Sequence, residues 1–294
     1  LKPTTGLKPR GPYFMEFSNG FSSDHVLTRS VRDSAAALDQ STGPIRGSRY
    51  HVRPEVNSYL AVLDEQPPKL HIGVSISTPY GDAVGKNQEA SVERVSTALA
   101  DMGHEIDEYA YPADLGLGSW MEDLWMVDVA YEIDNRIKEV GREPLHEELE
   151  ALTHFVRERV ESLSAMDLYR ARQGAHEASM RLMNSMSEFD LVLTPTLGSD
   201  PIPVGYMDSR TANFNMETWG ERGHAFAPFA YICNVSGQPA ASLPVQLTDG
   251  EHPCAVQLAG HTGKDHLILQ VAAELEKEFG WHQYRPPIWA GDLQ

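Results

Sequence analysis

The chain has 294 residues, which is enough for one large α/β domain or two smaller ones. Its content of 41% hydrophobic and 22% charged residues is typical of a folded globular protein. The formal net charge of -18, without a basic cluster, argues against a nucleic-acid partner, because a phosphate backbone carries the same sign. Residues 101–150 concentrate the acidity, and we interpret them as a solvated helical surface rather than an acidic binding site.

The cysteines, the apolar runs and the first residues of the chain bear on where the protein resides in the cell. Cys233 and Cys254 are too few for a disulfide framework and form no CxxC pair, so we expect a reducing, cytoplasmic compartment. No apolar run reaches the roughly 18–20 residues that span a bilayer, which predicts no membrane partner. The chain starts with Leu1 and has no signal-peptide pattern, so we expect that the sequence continues upstream or was cut by processing.

The amino-terminal part predicts a βαβ unit. Ser30 is the expected N-cap of a first helix, with Asp33 three residues later, and this helix should end near Gly43 and Pro44. Residues 70–76 form a β-branched run that predicts a buried strand. Residues 87–102 have apolar positions at helical spacing, and residues 104–109 alternate like a strand. Strand, helix and strand in this order favour two parallel strands in one sheet.

A helical block follows at about residues 119–189, and α/β character then returns. We predict helices at 119–140, 146–163 and 166–187, a strand at 190–196 and a loop-rich region after it. Strands at 241–247 and 254–258 flank Asp249-Gly250, a good hairpin turn, and a helix follows at 265–279. The fold class is therefore α/β, with a mixed central β-sheet flanked by helices.

Motifs for common chemistries are absent or incomplete. The sequence contains neither the Gly-x-Ser-x-Gly nucleophile elbow nor His-Glu-x-x-His, and Met180 stands where a second zinc ligand would follow His176. The segment 81–86 is one residue short of a phosphate loop and lacks the hydroxyl residue after Lys86. Lys2 could act as a base only if burial lowered its pKa, and a surface lysine is the commoner case. The residues themselves predict no catalytic residue, metal or cofactor.

Six strings, in order, resemble the downstream half of the amidase-signature family. Leu-Lys-Pro-Thr-Thr-Gly at residues 1–6 is similar to the segment just after that family's nucleophile. Phe-Asp-Leu-Val-Leu-Thr-Pro-Thr at 189–196 and Cys-Asn-Val-Ser-Gly-Gln-Pro-Ala-Ala-Ser-Leu-Pro at 233–244 match two further segments. Each string alone is weak, but together they cover nearly the whole chain. The arrangement is nearest to enzymes like 6-aminohexanoate cyclic-dimer hydrolase. The remaining similar strings lie at residues 27–38, 255–260 and 267–276.

This resemblance implies a carboxamide hydrolase that acts through an acyl-serine intermediate. The family uses two serines and a lysine base, which lie in glycine- and serine-rich strings before Leu-Lys-Pro-Thr, and none of those strings occurs here. We therefore expect residues 1–294 to form the carboxyl-terminal portion of a single amidase-like domain, and the chain alone to be inactive. Two alternatives remain open: a subunit of a tRNA-dependent amidotransferase complex, or a non-catalytic binding module that lost the active site.

The resemblance also suggests which residues contact a small-molecule amide substrate. Trp125 and Val127 lie on a predicted helix whose counterparts roof the substrate site, although an apolar stripe through Trp120, Leu124, Val127 and Tyr131 is more often core. Cys233 stands where the family usually has Phe, so it could line the pocket or be a small buried hydrophobe. Asn234 could bind a substrate carbonyl, but orienting a loop is the commoner role. A homodimer is possible.

Overall fold

The computed structural model describes residues 1–11, 17–48, 50–118, 120–211, 213–247, 252–285 and 288–289. Its centre is a five-stranded mixed sheet with the order β2-β1-β3-β5-β4. The first three strands in this order are parallel to one another, whereas β3, β5 and β4 are antiparallel. The predicted mixed sheet is thus confirmed. The strands are β1 (His71–Val74), β2 (Glu105–Glu108), β3 (Leu191–Pro195), β4 (Ala240–Leu247) and β5 (Pro253–Gly260).

Eight α-helices surround the sheet within the described residues, and several begin where the sequence predicts. The side chain of Ser30 caps the first helix by accepting a hydrogen bond from the Asp33 N–H at 3.1 Å. A helix joins the parallel strands β1 and β2, so the predicted βαβ unit is confirmed. The helices are α1 (Val31–Ser41), α2 (Lys86–Asp101), α3 (Trp120–Val140), α4 (Ala151–Glu161), α5 (Ala165–Ser185), α6 (Met216–Phe226), α7 (Ala230–Ser236) and α8 (Asp265–Phe279).

The predicted loop-rich region contains two helices that its sequence does not announce. Helix α6 begins after the N-cap Asn215, none of its residues is fully buried, and its interior glycines Gly220 and Gly223 lower its helix propensity. Helix α7 has only seven residues and ends at Gly237, whose φ of 73° requires the left-handed conformation. The predicted start of the second block helix was also wrong, because His146–Glu148 forms a separate 3-10 turn before α4. The hairpin strands pair as predicted, while Asp249-Gly250 lies outside the described residues.

The apolar stripe predicted along α3 holds only for the first half of that helix. Leu124 is 2% exposed, whereas Tyr131 is 61% exposed, so including Tyr131 in the stripe was wrong. The physical reason is that the second half of α3 has no fully buried residue and faces solvent over most of its length. No helix in the described residues is long and apolar enough to cross a membrane.

The sheet has a packed core on each face. On one face, α1, α2 and α8 pack on buried strand residues such as Ile72, Leu193 and Leu258. On the other face, α5 and α7 contribute Leu182 and Ile232. A third and much smaller cluster joins α3 to α5 and contains three buried residues, Leu124, Ala171 and Ala175.

Candidate functional site

The first seven residues of the chain are inserted into the core. The Lys2 N–H donates to the Ala240 carbonyl at 2.7 Å, and the Ala240 N–H returns a bond to the Lys2 carbonyl at 2.9 Å. Three residues further, the Thr5 N–H donates to the Gly237 carbonyl at 2.9 Å. Leu7 is fully buried in the larger core. These contacts hold the segment against the start of β4 and the end of α7.

A buried carboxylate at the start of α8 fixes this segment on its other side. Asp265 is fully buried and accepts from the Thr4 N–H at 2.8 Å and from the Thr4 hydroxyl at 2.5 Å. The Thr4 hydroxyl in turn accepts from the Gly263 N–H at 2.9 Å. Burial raises the pKa of Asp265, while the Thr4 hydrogen bonds and the charge of Lys2 act in the opposite direction.

Two ionisable residues lie in the same region: Lys2 is half-buried and Cys233 is fully buried. Removal from water lowers the pKa of Lys2 to about 8, opposed by the negative charges that Cys233 and Asp265 can carry. Burial raises the pKa of the Cys233 thiol to about 12, so this cysteine is neutral at physiological pH. Its side chain packs in the α5–α7 core, with Gln257 Nε2 at 3.7 Å from Sγ. Cys233 as a substrate contact stays a prediction.

Asn234 joins α7 to the segment 17–21, which also contacts α3. Asn234 Nδ2 donates to the Phe21 carbonyl at 2.9 Å. Asn19 Nδ2 donates to the Leu124 carbonyl at 3.0 Å and to Asp128 at 3.2 Å. Desolvation raises the pKa of Asp128 to about 6 in spite of the Asn19 hydrogen bonds. Asn234 therefore makes the contact expected of a loop-orienting residue, and it ties α7 to α3 through this segment.

Trp125 and Val127 do not point the same way. The Trp125 ring stacks on Trp219 of α6, with centroids 6.3 Å apart and an angle of 15° between the planes. Residues two positions apart on a helix point about 200° apart. The half-buried Val127 therefore faces different neighbours from Trp125. Both residues stay predicted substrate contacts, and the structure gives Trp125 an aromatic partner that the sequence did not indicate.

A second aromatic group lies where the loop after β1 meets α6 and α7. The Tyr80 ring lies 5.0 Å from His224 and 6.3 Å from Tyr231 between centroids, and the Tyr231 hydroxyl donates to that of Tyr80 at 2.7 Å. Burial raises the pKa of Tyr80 and lowers that of His224, and the Glu122 charge favours the protonated form of both. Sequence reasoning missed these residues; the only signal was the presence of aromatic residues within a region predicted to be loop.

The described residues contain one serine–histidine contact, and it lacks the third partner of a hydrolase triad. His25 Nε2 lies 3.0 Å from the Ser34 hydroxyl and 3.2 Å from the Ser34 carbonyl. Burial lowers the pKa of His25 to about 4, and no described contact gives its other nitrogen a carboxylate. Ser34 is also a buried residue inside α1. We interpret this contact as helix packing.

One group in the described residues has the composition of a metal site. His71, Glu105 and Asp107 place possible ligand atoms within 4.8 Å of one another. Both nitrogens of His71 are already hydrogen-bonded, Nδ1 to the Glu188 carbonyl at 2.7 Å and Nε2 to Asp107 at 2.8 Å. Strand pairing across β1 and β2 therefore accounts for this cluster.

Comparison with known proteins places the chain in a family. The family model described as Amidase matches residues 1–269. The chain is 30% identical over 307 aligned residues to a 6-aminohexanoate-cyclic-dimer hydrolase of a Pseudomonas species, covering 98% of this chain and 60% of that protein. The structure of 6-aminohexanoate cyclic dimer hydrolase complexed with substrate aligns with a TM-score of 0.89 and 27% identity, over 97% of this chain and 61% of that one.

A more distant neighbour bears on the alternative of a tRNA-dependent amidotransferase. One component of the glutamyl-tRNA(Gln) amidotransferase of Thermotoga maritima aligns with a TM-score of 0.65 at 19% identity, over 94% of this chain and 57% of that one, a likeness that shows the fold alone. The chain spans about three-fifths of the length of the relatives it matches. The family match over residues 1–269 and the close structural likeness together establish that the chain belongs to the amidase family.

Proposed function

We propose that this chain is the carboxyl-terminal portion of an amidase that hydrolyses a carboxamide through an acyl-serine intermediate. The observation that carries the proposal is the placement of residues 1–7. In the family this segment follows the nucleophile, and here it is held in the core by strand pairing to Ala240 and by the Thr4–Asp265 bonds. A strand fixed at this point would place a preceding catalytic segment at a defined position relative to α7.

In this proposal, the chain supplies one wall of the acyl pocket. The supporting geometry is the junction at which α3, α6 and α7 meet: Trp125 stacks on Trp219, and Asn234 and Asn19 tie α7 to α3. Half-buried aromatic rings offer apolar surface to an acyl group, together with a few directional hydrogen bonds. We propose Trp125, Val127, Cys233 and Asn234 as contacts, with Trp219 added by the structure.

The same proposal makes the chain alone inactive, because no serine or lysine of the family's catalytic strings is present in it. A fluorophosphonate probe, which labels activated serines covalently, tests this directly. The purified 294-residue chain should show no stoichiometric labelling by intact-mass spectrometry. Labelling at one serine, lost on prior heat denaturation, would contradict the proposal.

Testing the amidase assignment needs a second experiment on a longer protein that includes these residues. The protein encoded by the longest reading frame that contains these residues should react with the fluorophosphonate probe at one serine. It should also hydrolyse an amide such as the 6-aminohexanoate cyclic dimer. If that protein carries a glycine- and serine-rich catalytic string yet neither labels nor hydrolyses any amide offered, the assignment fails. If the frame adds no such string, a non-catalytic module replaces it.

A further inference from the structure

A cleft opens at the carboxyl ends of β1 and β2. Its volume is about 780 Å³, which is in the range of small-molecule sites. The loops 75–81 and 109–113 form its rim, and Val92, Glu93 and Ser96 of α2 form one wall. Open α/β sheets bind ligands outside the carboxyl ends of parallel strands, and this cleft has that position. None of the four predicted substrate contacts lines it.

The rim of the cleft is held in place by its own hydrogen bonds. Thr78 is 5% exposed, and its hydroxyl accepts from the N–H groups of Tyr80 and Asp82 at 3.3 and 3.1 Å. The Thr78 N–H donates to the Asp82 carbonyl at 2.8 Å, and the buried Ser75 hydroxyl donates to the Ser77 carbonyl at 3.2 Å. A preformed rim loses little conformational entropy when a ligand binds.

The lining of the cleft decides which ligands it can accept. Its charged residues are Glu93, Asp107 and Glu108, and no lysine, arginine or histidine lines it. Asp107 is paired with His71, whereas the described contacts give the exposed Glu93 and Glu108 carboxylates no ion pair. An anionic ligand would meet only like charge, and the net charge of -18 adds to this repulsion. The uncharged lining includes Val74, Ile76, Val92, Ile106, Tyr80, Tyr109 and Tyr111.

We propose that this cleft binds a small primary amine with an apolar or aromatic body. The exposed Glu93 and Glu108 carboxylates attract the ammonium group, and the apolar body lies against aliphatic lining residues such as Val92 and Ile106. The site does not depend on amidase activity, so it can be tested on the chain as it stands.

Benzylamine is a suitable probe ligand. Benzyl alcohol and benzoate have a similar shape and serve as its neutral and anionic comparison ligands. Titration followed by amide chemical shifts should give saturable benzylamine binding in the millimolar range at low salt, with shifts concentrated in residues 75–81, 92–96 and 106–113. Benzyl alcohol should bind at least about fivefold more weakly and benzoate not at all. Each of E93Q and E108Q should weaken benzylamine binding about twofold to fivefold, the range expected for a solvent-exposed ion pair.

Two controls separate this site from general attraction to an acidic protein. E89Q removes the same charge from α2 but from a residue that does not line the cleft, so it should leave the affinity unchanged. A110W fills the cleft from an exposed rim position and should abolish binding while the circular dichroism spectrum stays the same. The proposal is overturned if benzyl alcohol binds as well as benzylamine, if E89Q weakens binding as much as E93Q, or if binding does not saturate.

Discussion

The sheet and the helical block of this protein are stabilised differently. Around the sheet, residues 1–7, α2 and α8 share a continuous core that includes the fully buried Asp265. In the block, α3 and α5 share a cluster of only three buried residues, and ion pairs add further contacts, of which Arg142–Glu148 is exposed and Arg159–Asp123 is partly buried. Exposed ion pairs contribute little to stability. We therefore expect the sheet region to be the more rigid of the two and the block to tolerate more change.

The ionisable groups of the two regions show the same contrast. Burial raises the pKa of Asp265, whereas the Arg142 hydrogen bonds lower the pKa of the fully solvated Glu148 to about 2. The first carboxylate is costly to keep charged and depends on Thr4, while the second is stabilised by a partner that water can replace. Three mutational experiments test this contrast.

The largest effect is expected for D265A. Removing the buried carboxylate leaves the Thr4 N–H and hydroxyl without an acceptor, so unfolding free energy should fall by about 3 kcal/mol. Urea denaturation measures this difference. D134A, which removes an exposed carboxylate from α3, should cost less than about 0.5 kcal/mol. A loss below about 1 kcal/mol for D265A would show that the Thr4–Asp265 bonds contribute little, and that packing and the backbone bonds to Ala240 and Gly237 hold the segment 1–7.

Two leucine truncations compare the cores directly. L193A empties a position on the central strand β3 that is fully buried among rigid neighbours, so it should cost about 4 kcal/mol. L124A acts in the three-residue cluster of the block, where neighbours can relax into the space, and should cost about 2 kcal/mol. Thermal and urea unfolding of both variants measures the order. If L124A costs as much as L193A, the block is as tightly packed as the sheet.

The third experiment concerns Lys2, and its effect depends on pH. Burial lowers its pKa from 10.5 to about 8, so the folded state disfavours the charged form. Between pH 8 and 10.5 the unfolded chain binds more protons than the folded chain, and stability rises with pH there. The stability of wild type relative to K2M should therefore increase across this window and stay flat below about pH 8. K69M, at an exposed lysine, is the matched control. If the stability difference between wild type and K2M does not change with pH, the Lys2 ammonium group is exposed to water in the folded state.

How far the sequence predicts the structure depends on whether an element carries its own periodicity. Helix α8 was predicted with its bounds correct because its buried residues recur at helical spacing and Gly280 stops it. Helix α6 was missed because it is short and contains Gly220 and Gly223, which are more typical of a loop than of a helix interior. The β1–α2–β2 unit was predicted from a β-branched run for β1, from apolar residues at helical spacing for α2 and from alternation for β2.

The candidate site shows the same division. The sequence identified Trp125, Val127, Cys233 and Asn234 through resemblance, but not which of them share an environment. The structure shows Cys233 within the core, Asn234 bonded to Phe21, and Trp125 stacked on Trp219, far along the chain. The aromatic residues of the second group could not have been predicted together, because nothing local links an exposed loop after β1 to two short helices.

Sequence alone determined the family, the mixed sheet, the βαβ unit and the resemblance of residues 1–6 to the segment after the family's nucleophile, because each depends on short-range periodicity or on ordered strings. Tertiary structure alone decided the buried Thr4–Asp265 contact, the junction of α3, α6 and α7, and the acidic cleft beyond β1 and β2. These features join residues up to 261 positions apart. Their energies come from burial and desolvation, which exist only once the whole core has formed.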